Sequence, residues 1–230
     1  MKKRHKNLSL KYVFQEPTER SSNNRPPLLL LLHGFGSNED DLISFAPQLD
    51  KRFFIASPRA PFVLNFGGFA WFEIYFGGSG LSINPEQYET SRQKLLEFIT
   101  EIVTEHDLDE RQVFLTSFSQ GAIMNYSLML TAPEKLAGVV AMSGALVSEY
   151  LPQISEAEKL QNFPVLVTHG IYDNVVPIHY GRQAKEYLSR LPVDLDYREY
   201  PIAHHVSEES LNDVTTWLSE KLNLTTHKKS

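Results

Sequence analysis

The sequence predicts an α/β protein, a mostly parallel central sheet with helices on both faces, and three features predict it. Residues 28–32 and 136–142 are unbroken apolar runs of strand length, as expected of parallel strands buried on both sides. Residues 85–106 place Leu95, Leu96, Phe98, Ile99, Ile102 and Val103 on one face of a long helix, with Glu and Arg on the other. Residues 111–116 read as a short buried strand, and Met124, Leu128 and Met129 repeat at helical spacing, so a sharp strand-to-helix turn must carry Ser119 between them.

With 230 residues, no internal repeat and no long low-complexity linker, the chain fits one domain over residues 1–230, with 1–7 and 224–230 expected to fray. A formal net charge of −6 argues against a nucleic-acid partner, because phosphate binding relies on clustered Lys and Arg. Lys2, Lys3, Arg4 and Lys6 do cluster, but read as a solvated terminus. The absence of cysteine removes disulfides, a thiolate nucleophile and cysteine metal sites. The basic start lacks the apolar run of a signal peptide and no stretch is long enough to span a bilayer, so a cytoplasmic chain without stable membrane insertion is expected. Composition does not select an oligomeric state.

In chain order, residues 8–14 alternate as an antiparallel edge strand would, and 16–27 form a polar, turn-rich connection. The buried strand at 28–32 runs into His33-Gly34-Phe35-Gly36, then 37–41, whose cap-forming and acidic residues suit a helix start. A glycine-flanked turn at a buried strand's end can aim backbone N–H groups into a site, here that of Phe35, whereas the His33 side chain reads as structural. Residues 53–56 form the next strand, closed by two prolines in 57–61.

Gly67-Gly68 and Gly77-Gly78 bracket residues 69–76, a run too aromatic for an ordinary loop. Two compatible readings are a buried strand or hairpin and the wall of an apolar pocket. The run GGSG at 77–80 lacks the lysine and the strand-to-helix context of a phosphate loop. After the helix stops at 107–110 and the Ser119 turn is passed, Ser143-Gly144 ends the next strand; it is a weaker nucleophile candidate because no elbow helix follows.

Residues 149–162 are polar and helix-permissive, suited to the sheet's edge or a small cover. A strand at 163–168 then leads into HGIYDNVVP at 169–177, which sets Asp173 in a turn beyond a strand's carboxyl end. A helix over 178–191 and a last strand at 195–200 follow, delivering His204-His205 before a C-terminal helix around Leu211, Val214, Trp217, Leu218 and Leu222.

Singly these are weak signals: a serine before an apolar run often only caps a helix, and a turn aspartate often bonds its own backbone. The elbow itself reads S-x-S-x-G rather than G-x-S-x-G, a departure to a residue nearly as small. In order, however, Ser119 on an elbow, Asp173 after a strand and a histidine after the last strand give the Ser, Asp, His sequence of the α/β-hydrolase triad. Serine needs an imidazole to take and return its proton, the carboxylate fixes that imidazole, and the N–H groups of Phe35 and Gln120 would hold the oxyanion.

The motifs Leu32-His33-Gly34-Phe35-Gly36, Trp71-Phe72-Glu73, Phe118-Ser119-Gln120-Gly121, His169-Gly170 with Asp173 and Val176-Pro177, and Tyr200 with His204 resemble the phospholipase/carboxylesterase family that includes acyl-protein thioesterases. The resemblance runs from about Leu28 to Leu222. It departs at Ser117, where glycine is usual, and at Phe35, where leucine is common. It selects His204 over His205, and it implies an α/β-hydrolase fold with little or no cap domain and a hydrolase of carboxylic esters or thioesters. Ser119, Asp173 and His204 would be catalytic, Trp71, Phe72 and Val176 would line the substrate pocket, and no cofactor is needed. His33, His169, His204 and His205 lack HExxH-type spacing and end separate strands, so no metal site is expected. The rival readings are an acyltransferase or peptidase with the same triad, and a non-catalytic binding module on this fold, against which the intact triad order counts.

Overall fold

The structure, a computed structural model, describes residues 3–5, 8–19, 25–77, 80–147 and 157–227. Its strands are β1 (Lys3–His5), β2 (Tyr12–Gln15), β3 (Leu28–Leu32), β4 (Phe54–Pro58), β5 (Phe62–Val63), β6 (Phe69–Ala70), β7 (Ile74–Gly77), β8 (Gly80–Ile83), β9 (Val113–Phe118), β10 (Gly138–Met142), β11 (Pro164–Gly170) and β12 (Asp194–Tyr200). The α-helices are α1 (Pro85–Glu105), α2 (Gln120–Thr131), α3 (Ile178–Leu188) and α4 (Glu208–His227).

Eight strands form one sheet in the order β1-β2-β4-β3-β9-β10-β11-β12. β2 is antiparallel to both its neighbours, and the six strands from β4 to β12 run parallel. Alternation along β3 shows why the sheet is covered twice: Leu28, Leu30 and Leu32 point into one apolar cluster, Leu29 and Leu31 into another. Residues of α1, α2 and α3 fill the first, and residues of α4 with the 3-10 helix Leu42–Gln48 fill the second. Each fully buried leucine contributes roughly 1.5–3 kcal/mol through apolar burial, so this sheet is held from both faces.

Several elements differ from expectation. The strand expected at the sheet edge, β2, has β1 outside it, so Lys3–His5 lie in a strand where fraying was expected. At the other terminus α4 runs on to His227. β4 reaches Pro58 because a proline at a strand's last residue removes a donor only where pairing ends. The aromatic segment is two short hairpins, β5 with β6 and β7 with β8. Gly68 is required there, since its φ is +78° and a Cβ would sit 1.9 Å from the Gly36 carbonyl oxygen. Of the helix-permissive stretch 149–162, residues 149–156 lie outside the described residues and Ala157–Leu160 form a 3-10 turn. Among the described residues no helix is long and apolar enough to cross a membrane.

After β4 the chain crosses to the other side of β3 to lay down β9. Strand order therefore reverses between β3 and β9, and in open α/β sheets the crevice beyond the carboxyl ends at such a point is where ligands bind. His33-Gly34-Phe35 leaves β3 there, and Ser119 leaves β9 beside it.

Candidate active site

Ser119 is the single joint between β9 and α2, with φ 54° and ψ −115°. A positive φ strains a residue with a Cβ by about 1–3 kcal/mol, so the surroundings must enforce it. They do so through backbone: the Ser119 N–H donates to the Met142 carbonyl at 2.9 Å, and the Ser119 carbonyl accepts from the Ala122 N–H at 3.0 Å. Gly121 lets α2 press on the end of β3, since a Cβ there would lie 2.2 Å from the Leu32 carbonyl oxygen.

The unusual Ser117 is bonded as well as accommodated. Its hydroxyl donates to the Val140 carbonyl at 3.0 Å and accepts from the Asn125 amide at 2.7 Å, and that amide also reaches the Val140 carbonyl at 2.9 Å. The buried trio ties β9, β10 and α2 together directly beneath the elbow.

The chain's order becomes proximity at the sheet's carboxyl edge. His204 Nδ1 donates to Asp173 Oδ2 at 2.7 Å, because a carboxylate can only accept. That proton fixes the tautomer, so Nε2 is left to accept from the Ser119 hydroxyl at 2.9 Å. Asp173 is buried, and its Oδ1 accepts the N–H groups of Val175 at 2.9 Å and Val176 at 2.8 Å. The Phe118 ring packs on the His204 imidazole, with centroids 4.7 Å apart. His205 is exposed, so His204 is the histidine brought to Ser119.

Trp71 and Phe72, expected in the pocket wall, are fully buried and do not line the cavity. Composition marked them as apolar and could not say which way they face. Trp71 instead braces the turn beside Ser119 from behind: its indole N–H donates to the His33 carbonyl at 3.0 Å, and its backbone N–H donates to Gln120 Oε1 at 2.8 Å. The Gln120 amide nitrogen in turn donates to the Phe72 carbonyl at 2.6 Å. Trp71 thus links the His33 carbonyl at the exit of β3 with the Gln120 side chain at the start of α2.

His33 holds the turn that follows β3. Its Nε2 accepts from the Ala60 N–H at 3.1 Å, so Nδ1 carries the proton and donates to the Gly34 carbonyl at 2.8 Å. In a trans peptide the C=O and the following N–H point opposite ways, so a bond holding the Gly34 carbonyl also aims the Phe35 N–H. Burial pushes the His33 pKa down, which favours the neutral ring that this pair of bonds requires.

In front of Ser119 lies a cavity of about 490 Å³, lined by Ile74, Leu81, Ile123, Ala145 and Tyr180 with Val176 as expected, and by Ser37 and Asp41 as polar groups. Phe35 stands at its mouth, about 40% exposed. Among the described residues no three His, Asp or Glu side chains gather as a metal site would require. Sequence reasoning read the His33 side chain as structural but missed its partners, and it missed the roles of Asn125 and the Gln120 side chain. Asn125 carried no signal, for it stands on α2 whereas Ser117 lies on β9.

A doubly covered, mostly parallel sheet with Ser119, His204 and Asp173 in hydrogen-bonded line at its switch point defines an α/β-hydrolase of the serine-hydrolase class. The model of the phospholipase/carboxylesterase family matches residues 15–222, and the chain belongs to that family. It is 30% identical over 213 residues to acyl-protein thioesterase 1 of Debaryomyces hansenii, covering 84% of this chain and 90% of the relative. It is 27% identical over 230 residues to a probable carboxylesterase of Oryza sativa subsp. japonica, covering 93% and 85%. The carboxylesterase of Bacillus cereus shares the fold with a TM-score of 0.81 at 23% identity, over 94% of this chain and 96% of that one.

Proposed function

We propose that the chain hydrolyses carboxylic esters or thioesters of small to medium acyl groups through an acyl-enzyme on Ser119. The observation that carries this is the unbroken line from Ser119 Oγ through His204 to Asp173, opening on an apolar cavity. His204 Nε2 takes the hydroxyl proton as Ser119 Oγ attacks the acyl carbon. The oxygen of the tetrahedral intermediate is held by the N–H groups of Phe35 and Gln120, each worth about 10²–10³ in rate where such donors have been removed. His204 then hands its proton to the leaving alcohol or thiol, and a water attacks the acyl-enzyme by the same route in reverse. Asp173 keeps the imidazole in its tautomer and stabilises it while charged.

The lining of Ile74, Leu81, Ile123, Ala145 and Val176 suits an apolar acyl chain. The names of the relatives support both esters and thioesters. The test is turnover of p-nitrophenyl esters and acyl thioesters of graded chain length, with mass-spectrometric location of an organophosphonate adduct. Turnover with the adduct on Ser119 is expected; no turnover across either series and no adduct on Ser119 refutes the reading. Ser119→Ala should lose roughly 10⁴-fold or more in kcat, with thermal denaturation showing a folded protein. His204→Ala should lose a comparable factor while His205→Ala stays within about threefold; the reverse pattern moves the base by one residue.

A further inference from the structure

His169 is a buried histidine that the mechanism above does not use, and its bonding is lopsided. It sits at the carboxyl end of β11 with its side chain, like that of Asp173, fully out of solvent. Nε2 lies 2.7 Å from the Val176 carbonyl, which can only accept, so Nε2 carries the proton. Nδ1 is then a bare acceptor with no partner among the described residues. Gly181 of α3 presses on that edge of the ring, where a Cβ would come within 2.6 Å of Nδ1. Burial lowers the pKa of the ring, in keeping with a neutral imidazole. A phenyl ring would fill the same space without the unpaired Nδ1 but could not donate to the Val176 carbonyl, so it is this bond and not packing that calls for a histidine here.

The loop between β11 and α3 shows what the one N–H does. Ile171, Tyr172 and Val175 are exposed, yet the loop must carry Asp173 as a buried carboxylate. Ahead of Asp173 the loop is tied to the exit of β12, by Ile171 N–H to the Tyr200 carbonyl at 2.8 Å and Tyr172 N–H to the Ile202 carbonyl at 3.0 Å. Beyond Asp173, among the described residues, the tie to the strand is His169: its Nε2–H grips the Val176 carbonyl, while the Val176 N–H binds Asp173 Oδ1. The same Nε2 lies 3.7 Å from Asp173 Oδ2, the oxygen that receives the His204 proton.

We propose that His169 is a positioning residue of the triad, whose Nε2–H to the Val176 carbonyl holds the 173–176 turn so that Asp173 offers Oδ1 to the backbone and Oδ2 to His204. This rests on the catalytic reading of Ser119, His204 and Asp173. The residue acts through Asp173 and touches no substrate. The proposal explains a buried polar ring at this position, and Gly181, where any side chain would collide with that ring.

The test uses His169→Phe, which keeps ring volume and removes the donor, and His169→Gln, whose amide nitrogen reaches the position of Nε2. With a p-nitrophenyl ester the Phe variant should lose about 10- to 100-fold in kcat, the effect of misplacing a catalytic group by about 1 Å. Its thermal midpoint at pH 7.5 should stay within a few degrees of native, because removing the unpaired Nδ1 offsets the donor lost to the Val176 carbonyl. The Gln variant should recover most of the rate. Independently of turnover, the downfield ¹H NMR resonance of the His204 Nδ1 proton, present in the native protein through its bond to Asp173, should be lost or shifted upfield in the Phe variant and restored in the Gln variant. Native kcat and an unmoved resonance in His169→Phe overturn the proposal, as does a rate loss matched only by a lower thermal midpoint. Failure of the hydrolase reading shows up separately, as native protein that turns over no ester and takes no adduct on Ser119.

Discussion

Ser117 shows how a departure from a motif can be absorbed by one side chain. The small first residue of an elbow avoids a clash, and a hydroxyl there would be an unpaired polar group in a dry core unless something met it. Asn125 and the Val140 carbonyl meet it. Ser117→Ala keeps the volume but removes one donor and one acceptor from the trio, and should cost about 1–2 kcal/mol in urea unfolding. Its kcat should fall far less than that of Ser119→Ala, because the backbone of Ser119 is held by the Met142 carbonyl rather than by this hydroxyl. A loss of activity as large as the nucleophile variant's would mean that the trio sets the elbow itself. At this scale Ser119 and Asp173 were legible because each follows a strand with its own apolar signature, whereas β12 before His204 is polar and the family resemblance selected that residue. His33 was legible as a structural side chain, but its partners and those of Asn125 were not, since a backbone carbonyl leaves no mark in the order of residue types.

At the scale of elements, the site depends on how closely α2 lies on the end of β3. Gly121 sets that distance: a Cβ would approach the Leu32 carbonyl oxygen to 2.2 Å and the His33 carbonyl oxygen to 2.9 Å, and both atoms belong to backbone that cannot swing aside. Gly121→Ala must therefore push α2 off the turn that bears Phe35, with an expected loss of about 1–3 kcal/mol in the chemical denaturation midpoint. In the same variant kcat should fall more than KM rises, since the Phe35 and Gln120 N–H groups would separate before the apolar cavity is altered. Unchanged stability would show that the helix start can shift freely. The parallel strands and long helices were readable from periodicity because burial on two faces or one leaves an apolar run or a stripe. Residues 69–76 were legible as a strand or hairpin from their glycine-bracketed aromatic run, but not their division into two hairpins, for strands of two to four residues are too short to show a period. The facing of Trp71 was equally hidden, as it is settled by hydrogen bonds to His33 and Gln120 from distant elements.

For the whole molecule, the two buried histidines link stability to acidity. Burial is the first cause that lowers the pKa of both His33 and His169, and each ring has one nitrogen already donating to a carbonyl. Protonating His33 would destroy its bond from the Ala60 N–H, and protonating His169 would place a second N–H where nothing accepts it. Above about pH 6.5 folded and unfolded chains hold these rings alike, so stability is level. Below it the unfolded chain takes up protons that the folded chain refuses, and stability falls until pH passes the lowered folded values. The slope is at most about 1.4 kcal/mol per pH unit for each ring. Carboxylates add their loss only further down: Glu199, held at about 2 chiefly by its hydrogen bond from Arg182, begins to lose its contribution as pH drops through its ordinary value of 4.5. Thermal denaturation of the native protein should therefore show a midpoint that is level from pH 8 to 7 and declines between 6.5 and 5, before the carboxylates titrate. The decline should be shallower in His169→Phe, which has one fewer ring to charge. A native midpoint level down to pH 5, or an equal slope in the variant, would show that these rings accept protons without leaving the fold.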